Sequence, residues 1–214
     1  MLLRVFALGL TCLTFACSAQ TSSPSFVAGK DYREVRDVQA PADPAKVTVQ
    51  EFFWYGCNHC YNFEATLTPW KKKLAADVQF EAVPNSLGRP VGVLHSKAFY
   101  TAETLKVMDD MHNKLFEAMH VRNQPLATEA QIVGLFEANT SLMPDVVQNT
   151  LSGFAVDARV RRAEKLSRDY GVTSTPTIVV GGKYTTNPSM AGGFEQMLAI
   201  TDFLVNKVRE ERRK

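Results

Sequence analysis

VTVQEFFWYGCNHCYNFEATLTPW, residues 47–70, changes character in its middle. Its opening VTVQEFFWY (47–55) is β-branched and aromatic, the composition of a buried strand. Past the two cysteines, Phe63, Leu67, Trp70 and Leu74 recur at three or four residues. That spacing predicts a helix from about Asn58 to Ala76, with Pro69 predicting a kink inside it. VQFEAVP (78–84) alternates and reads as a second strand. Strand, helix and strand in this order predict a parallel pair joined by a helical crossover.

On the N-terminal side, residues 20–30 read as a short flexible lead and YREVRDV (32–38) as a short strand, with a turn at ADPAK (42–46). On the C-terminal side, residues 92–170 carry almost no strand signal. Helices are predicted there over about 93–120, 128–138, 144–151 and 155–170. Thr128 with Gln131 has the form of a capping box, and Pro144 suits a first helical position. The pattern then returns to strand at TIVV (177–180), turns at Gly181-Gly182 and pairs back through KYTT (183–186). Phe194, Met197, Leu198, Leu204, Val205 and Val208 mark a last amphipathic helix. Segments 30–90 and 171–214 are each too small to stand alone. The reading is therefore one α/β domain, residues 20–214, whose single sheet is interrupted by a helical insertion at about 92–170.

The chain has 214 residues, 45% hydrophobic and 21% charged, enough apolar mass for one sizeable core. Its 24 basic and 22 acidic residues leave a formal charge of +2, which argues against nucleic acid or an anionic membrane as partner. MLLRVFALGLTCLTFACSAQ places Arg4 before an apolar run, Val5–Ala16, that is too short for an ordinary membrane span. This reads as a secretory signal peptide, residues 1–19, cleaved after Ala19. Lipid attachment at Cys17 is the rival, which Thr14 and Phe15 fit poorly. Of four cysteines, Cys12 and Cys17 fall in the signal, so the exported chain keeps only Cys57 and Cys60, in an oxidising space.

Three chemistries compete for that pair. A structural zinc site wants four ligands, and no second cysteine pair remains. His112 and His120 are eight apart, outside ligand spacing, and His95 stands alone. A staple closing a loop of two residues removes little chain entropy. A redox dithiol fits best. Cys57 opens a helix, whose free N–H groups and positive dipole end stabilise a thiolate. His59, when protonated, adds local positive charge. A lowered thiol pKa makes Cys57 a good leaving group, with Cys60 one turn on and more buried. Stabilising the thiolate weakens the disulfide and makes the pair oxidising.

EFFWYGCNHCYNFE, the divided α/β pattern, the helical insertion and the later TSTPTIVVGGKYTTNP together resemble the DsbA-type thiol:disulfide oxidoreductases of the bacterial periplasm. The resemblance spans about residues 30–210 and implies a thioredoxin fold with an inserted helical subdomain. It assigns Cys57 as nucleophile, Cys60 as resolving cysteine and Pro176 as a cis-proline. It gives the Thr175 backbone the task of pairing with an extended substrate segment. It makes Glu51 a buried acid beneath the disulfide, able to accept the proton of Cys60. Trp54, Tyr55, Tyr61 and Phe63 are read as core or groove lining. It further implies a monomer that needs no organic cofactor or metal and serves reduced, newly exported proteins. An inner-membrane, quinone-linked protein would re-oxidise it. There are departures. Asn58 replaces the proline common between the cysteines, Thr175 a common valine, and Glu81-Ala82 lacks a lysine that some members place near the acid. A disulfide isomerase or reductase is the enzymatic alternative, though the usual N-terminal dimerisation domain has no counterpart in the few residues before the first strand. A binding or chaperone protein using the same groove is the non-enzymatic one.

Overall fold

The computed structural model describes residues 25–41 and 43–213. Residues 1–19, read as a signal peptide, lie with Cys12 and Cys17 outside the described residues. Among the described residues the sheet has five strands in the order β1-β5-β4-β2-β3. Its centre is β2 (Val47–Phe53), parallel to β3 (Val78–Pro84) on one side and antiparallel to β4 (Thr177–Val180) on the other. β5 (Tyr184–Thr186) returns against β4, and the two-residue β1 (Arg33–Glu34) lies antiparallel at its edge. Of the expected strand 32–38, Arg33 and Glu34 pair with β5, and Tyr32 makes an isolated bridge to Ala28.

Between β2 and β3 runs α1 (Asn58–Lys71). It stops well short of Ala76. Pro69 offers no N–H to the turn before it, and the helix ends two residues later, passing into a turn through the Lys73 N–H to Trp70 and the Leu74 N–H to Lys71.

The insertion is helical throughout: α2 (Pro90–Thr104), α3 (Met108–His120), α4 (Glu129–Asn139), α5 (Pro144–Leu151) and α6 (Phe154–Tyr170). The single helix expected over 93–120 is two. α2 terminates in a Schellman motif, with the Lys106 N–H on the Glu103 carbonyl and the Val107 N–H on the Ala102 carbonyl. Lys106, at φ 58°, holds the left-handed position usually given to glycine. At α4 the Thr128 hydroxyl accepts from the Gln131 N–H, as its pattern predicts, while the Gln131 side chain reaches back to the Ala127 N–H. A short α7 (Pro188–Ala191), not foreseen, precedes α8 (Phe194–Arg212). Among the described residues no helix is long and apolar enough to cross a membrane.

Two cores flank the sheet. Val47, Val49, Phe63, Leu67, Ile178, Val180 and Leu204 join one face to α1 and α8. Phe52, Phe53, Val83, Phe99, Phe116 and Val160 join the other to the insertion. β2 is thus covered on both sides, and its C-terminal end is held where sheet, α1 and insertion meet.

Candidate active site

Beyond Phe53 the chain leaves the sheet through Trp54, Tyr55 and Gly56 and enters α1 at Cys57, the N-cap. The Cys57 N–H bonds the Trp54 carbonyl at 2.9 Å. Gly56 is required by contact: a Cβ there would lie 2.3 Å from the Trp54 ring. Cys57 is half-buried and Cys60 fully buried, both as thiols.

Their environments push the two sulfurs apart. The Cys57 thiol is lowered to about 5, chiefly because Cys60 donates its S–H to the Cys57 sulfur. Burial opposes this, and the Thr175 side chain and the backbone N–H groups of Cys60 and His59 add to it. Thr175 touches the sulfur in two senses. Its side-chain bond favours the thiolate, while its carbonyl, 3.3 Å from Sγ, accepts from the thiol. Cys60 is raised well above an ordinary thiol, first by burial and then by the bond it donates. This split leaves one nucleophilic sulfur and one that keeps its proton.

Thr175 and Pro176 are joined by a cis bond, and the loop is closed by the Thr177 hydroxyl on the Ser174 carbonyl at 2.8 Å. The register of β4 on β2 brings this loop to Cys57: Thr177 pairs with Phe52 and Ile178 with Glu51. Glu51 lies between Ile178 and Ala82 at 2% exposure, and its Oε1 has no hydrogen-bond partner. Burial raises its pKa well above the usual range, and the Glu64 carboxylate adds to the rise. Lys71 of α1 is the cation that opposes it. Ala82 faces Glu51 across β2 and β3, while Glu81 is engaged by Gln50 and Gln79.

His59 and Asn58 are exposed; of His59, the backbone N–H is the group that reaches the Cys57 sulfur. Tyr55 and Phe63 are buried, Trp54 and Tyr61 partly so. The sequence reading missed the residues that surround Trp54 and Tyr55. His95, in α2, accepts from the Trp54 indole N–H at 2.9 Å. His112, in α3, stands between the Tyr55 hydroxyl (2.9 Å) and the Glu64 carboxylate (3.4 Å). His120, at the end of α3, bonds the Tyr55 carbonyl at 2.7 Å and stacks on Tyr61. None sits in a local motif, so spacing gave no signal for them. Glu64 and His112 also line a cleft of about 760 Å³ between β3 and the insertion. Neither cysteine borders it.

Comparison with known proteins identifies the fold. The DSBA-like thioredoxin domain model matches residues 48–204. The chain belongs to this family. The thiol:disulfide interchange protein DsbA of Pseudomonas aeruginosa is 38% identical over 200 residues, 94% of this chain and 93% of that one. The DsbA of Burkholderia cepacia is 34% identical over 91% of each chain. The crystal structure of Pseudomonas aeruginosa DsbA superposes with a TM-score of 0.83, covering 88% of this chain and 97% of that one. A Xylella fastidiosa DsbA structure, 31% identical, gives 0.79 over 88% and 99%. This DsbA-family chain is a protein thiol:disulfide oxidoreductase with a thioredoxin fold and a helical insertion.

Proposed function

We propose that the chain, exported by residues 1–19, donates a disulfide from Cys57–Cys60 to reduced proteins outside the cytoplasm. A substrate thiolate attacks the Cys57 sulfur and breaks the Cys57–Cys60 bond. The electron pair leaves on Cys60, which takes its proton from Glu51 and becomes a thiol. A second substrate thiolate attacks the substrate sulfur of the mixed disulfide, and Cys57 departs as a thiolate. The substrate has lost two electrons and the enzyme has gained them. An inner-membrane, quinone-linked protein removes them again. Thr175 pairs its backbone with the extended substrate segment by a short strand addition, and the exposed His59 adds positive charge at the entrance when protonated.

The observation that carries this reading is the Cys57 thiol lowered to about 5 beside a Cys60 that stays protonated. A leaving group of low pKa departs faster, and a stabilised thiolate makes the disulfide a stronger oxidant. The test is the pH dependence of alkylation of the reduced protein, together with its equilibrium with glutathione. Expected are a single reactive thiol, lost in Cys57→Ser, with a midpoint near 5 and a potential well above the roughly −270 mV of reducing thioredoxins. A Cys57 that titrates like a free thiol, near about 8.5, or a potential at the thioredoxin value, would sink the reading in favour of a reductase.

A further inference from the structure

The sequence holds four histidines. One, His59, lies between the cysteines. The other three all come from the insertion and all end on two adjacent residues, Trp54 and Tyr55.

Those two residues are the platform for both sulfurs. The Trp54 carbonyl accepts the Cys57 N–H, and the Trp54 N–H donates to the Cys60 sulfur. Any tilt of this dipeptide moves both sulfurs relative to each other. Its free peptide carbonyl, its indole N–H and its phenol hydroxyl are three handles by which it can be gripped, and each is taken by one histidine. The indole N–H can only donate, so Nδ1 of His95 accepts and Nε2 carries the proton. That Nε2 lies 3.2 Å from both the Pro125 and Leu126 carbonyls, anchoring His95 to the loop after α3. Nε2 of His112 faces the Glu64 carboxylate, and the bond helps hold that acid below its usual range, against the effect of its burial. Nδ1 of His112 meets the Tyr55 hydroxyl at 2.9 Å. Nε2 of His120 faces a carbonyl and must donate. The Trp54 ring is further fixed by Gly56 beneath it and by the Arg89 guanidinium at 5.3 Å.

We propose that His95, His112 and His120 are positioning residues for the dithiol: from the helical insertion they clamp Trp54–Tyr55 and so set the registration of Cys57 against Cys60. The insertion then does more than cover a sheet face. It tunes the redox pair through three hydrogen bonds, none of which touches sulfur. The inference rests on Cys57 being the reactive thiol.

The test compares wild type with His120→Phe, which retains an aromatic ring against Tyr61 but removes the donor to the Tyr55 carbonyl. Tyr55→Phe, which deletes only the hydroxyl held by His112, serves as a second variant if the first fails to fold. The readouts are the pH profile of Cys57 alkylation and the equilibrium with glutathione, with thermal midpoints of both redox forms as controls. Loss of one hydrogen bond in the clamp should lower the thiolate-to-thiol ratio of Cys57 by about fivefold and make the pair less oxidising to match. His120→Gln, which restores a donor, should recover most of it. Variants whose profile and glutathione equilibrium superpose on wild type, whatever their thermal midpoints, overturn the clamp. A wild-type thiol that itself titrates like free cysteine defeats the redox assignment instead.

Discussion

Cys57 and Cys60 are three residues apart and chemically opposite, and the difference is environmental. One is half in solvent at a helix N-cap, with N–H and S–H donors aimed at it. The other lies in the core and is raised by that burial. Glu51 completes the asymmetry, because a carboxyl with an unpartnered buried oxygen holds a proton better than one in water. Its folded pKa is raised, so protonated Glu51 supports the fold at pH values below the unfolded carboxyl, about 4.3, and that support is lost as pH rises through the folded value. Glu51→Gln removes the ionisation. It should raise the thermal midpoint of the protein more at pH 8 than at pH 4. It should also slow disulfide transfer to a model peptide, by about a hundredfold if proton transfer to Cys60 limits the step. A variant equally active, with the same midpoint shift at both pH values, would remove Glu51 from the mechanism and from burial strain alike.

The elements that carry the site were legible to different depths. β2, β3, β4 and the start of α1 were readable because composition and period coincide: apolar runs bounded by turn residues, then Phe63 and Leu67 one helical turn apart. The burial of Glu51 and the thioredoxin fold were legible through the family resemblance that the whole pattern carries. The break between α2 and α3 was not readable. The end of α6 carries Gly171 at φ 69°, the ordinary signal, but the equivalent position after α2 is Lys106. Its side chain continues the helical pattern while its backbone ends it. The three histidines were hidden for another reason. Their partners lie 41 to 65 residues away in sequence, and only the packing of the insertion on β2 unites them. Lys106→Gly tests the first point. A left-handed conformation costs a non-glycine residue about 1 kcal/mol, partly offset by the greater freedom of glycine in the unfolded chain. The variant should therefore gain roughly 0.5 kcal/mol in urea unfolding, with unchanged disulfide transfer. A loss of stability would mean that the lysine side chain, rather than the backbone bonds, closes α2.

At the scale of the whole molecule, the redox state of two sulfurs and the stability of the fold are one equilibrium seen from two sides. A disulfide across two intervening residues constrains the unfolded chain little. The difference in stability between the two forms is then governed by what folding does to the free thiols. Cys60 is raised in the folded state, so below the unfolded thiol pKa it is protonated folded and unfolded alike and adds no pH dependence there. Cys57 is lowered to about 5. Between that value and an unfolded thiol near about 8.5, the unfolded reduced chain binds a proton that the folded one has released, and stability rises with pH. The extra stability is fully present above the unfolded value and is lost as pH falls through about 5. The stability of the reduced form relative to the oxidised form should therefore increase steadily from pH 5 to pH 8, and level off below pH 5. The same cycle requires the disulfide to be more easily reduced in the folded protein than in the unfolded chain, which is what makes the protein a donor. Urea unfolding of both forms at pH 4, 6 and 8 measures the gap directly. A gap of the same size at pH 4 and pH 8 would show that the fold does not stabilise the Cys57 thiolate, and the source of the oxidising power would have to be sought elsewhere in the molecule.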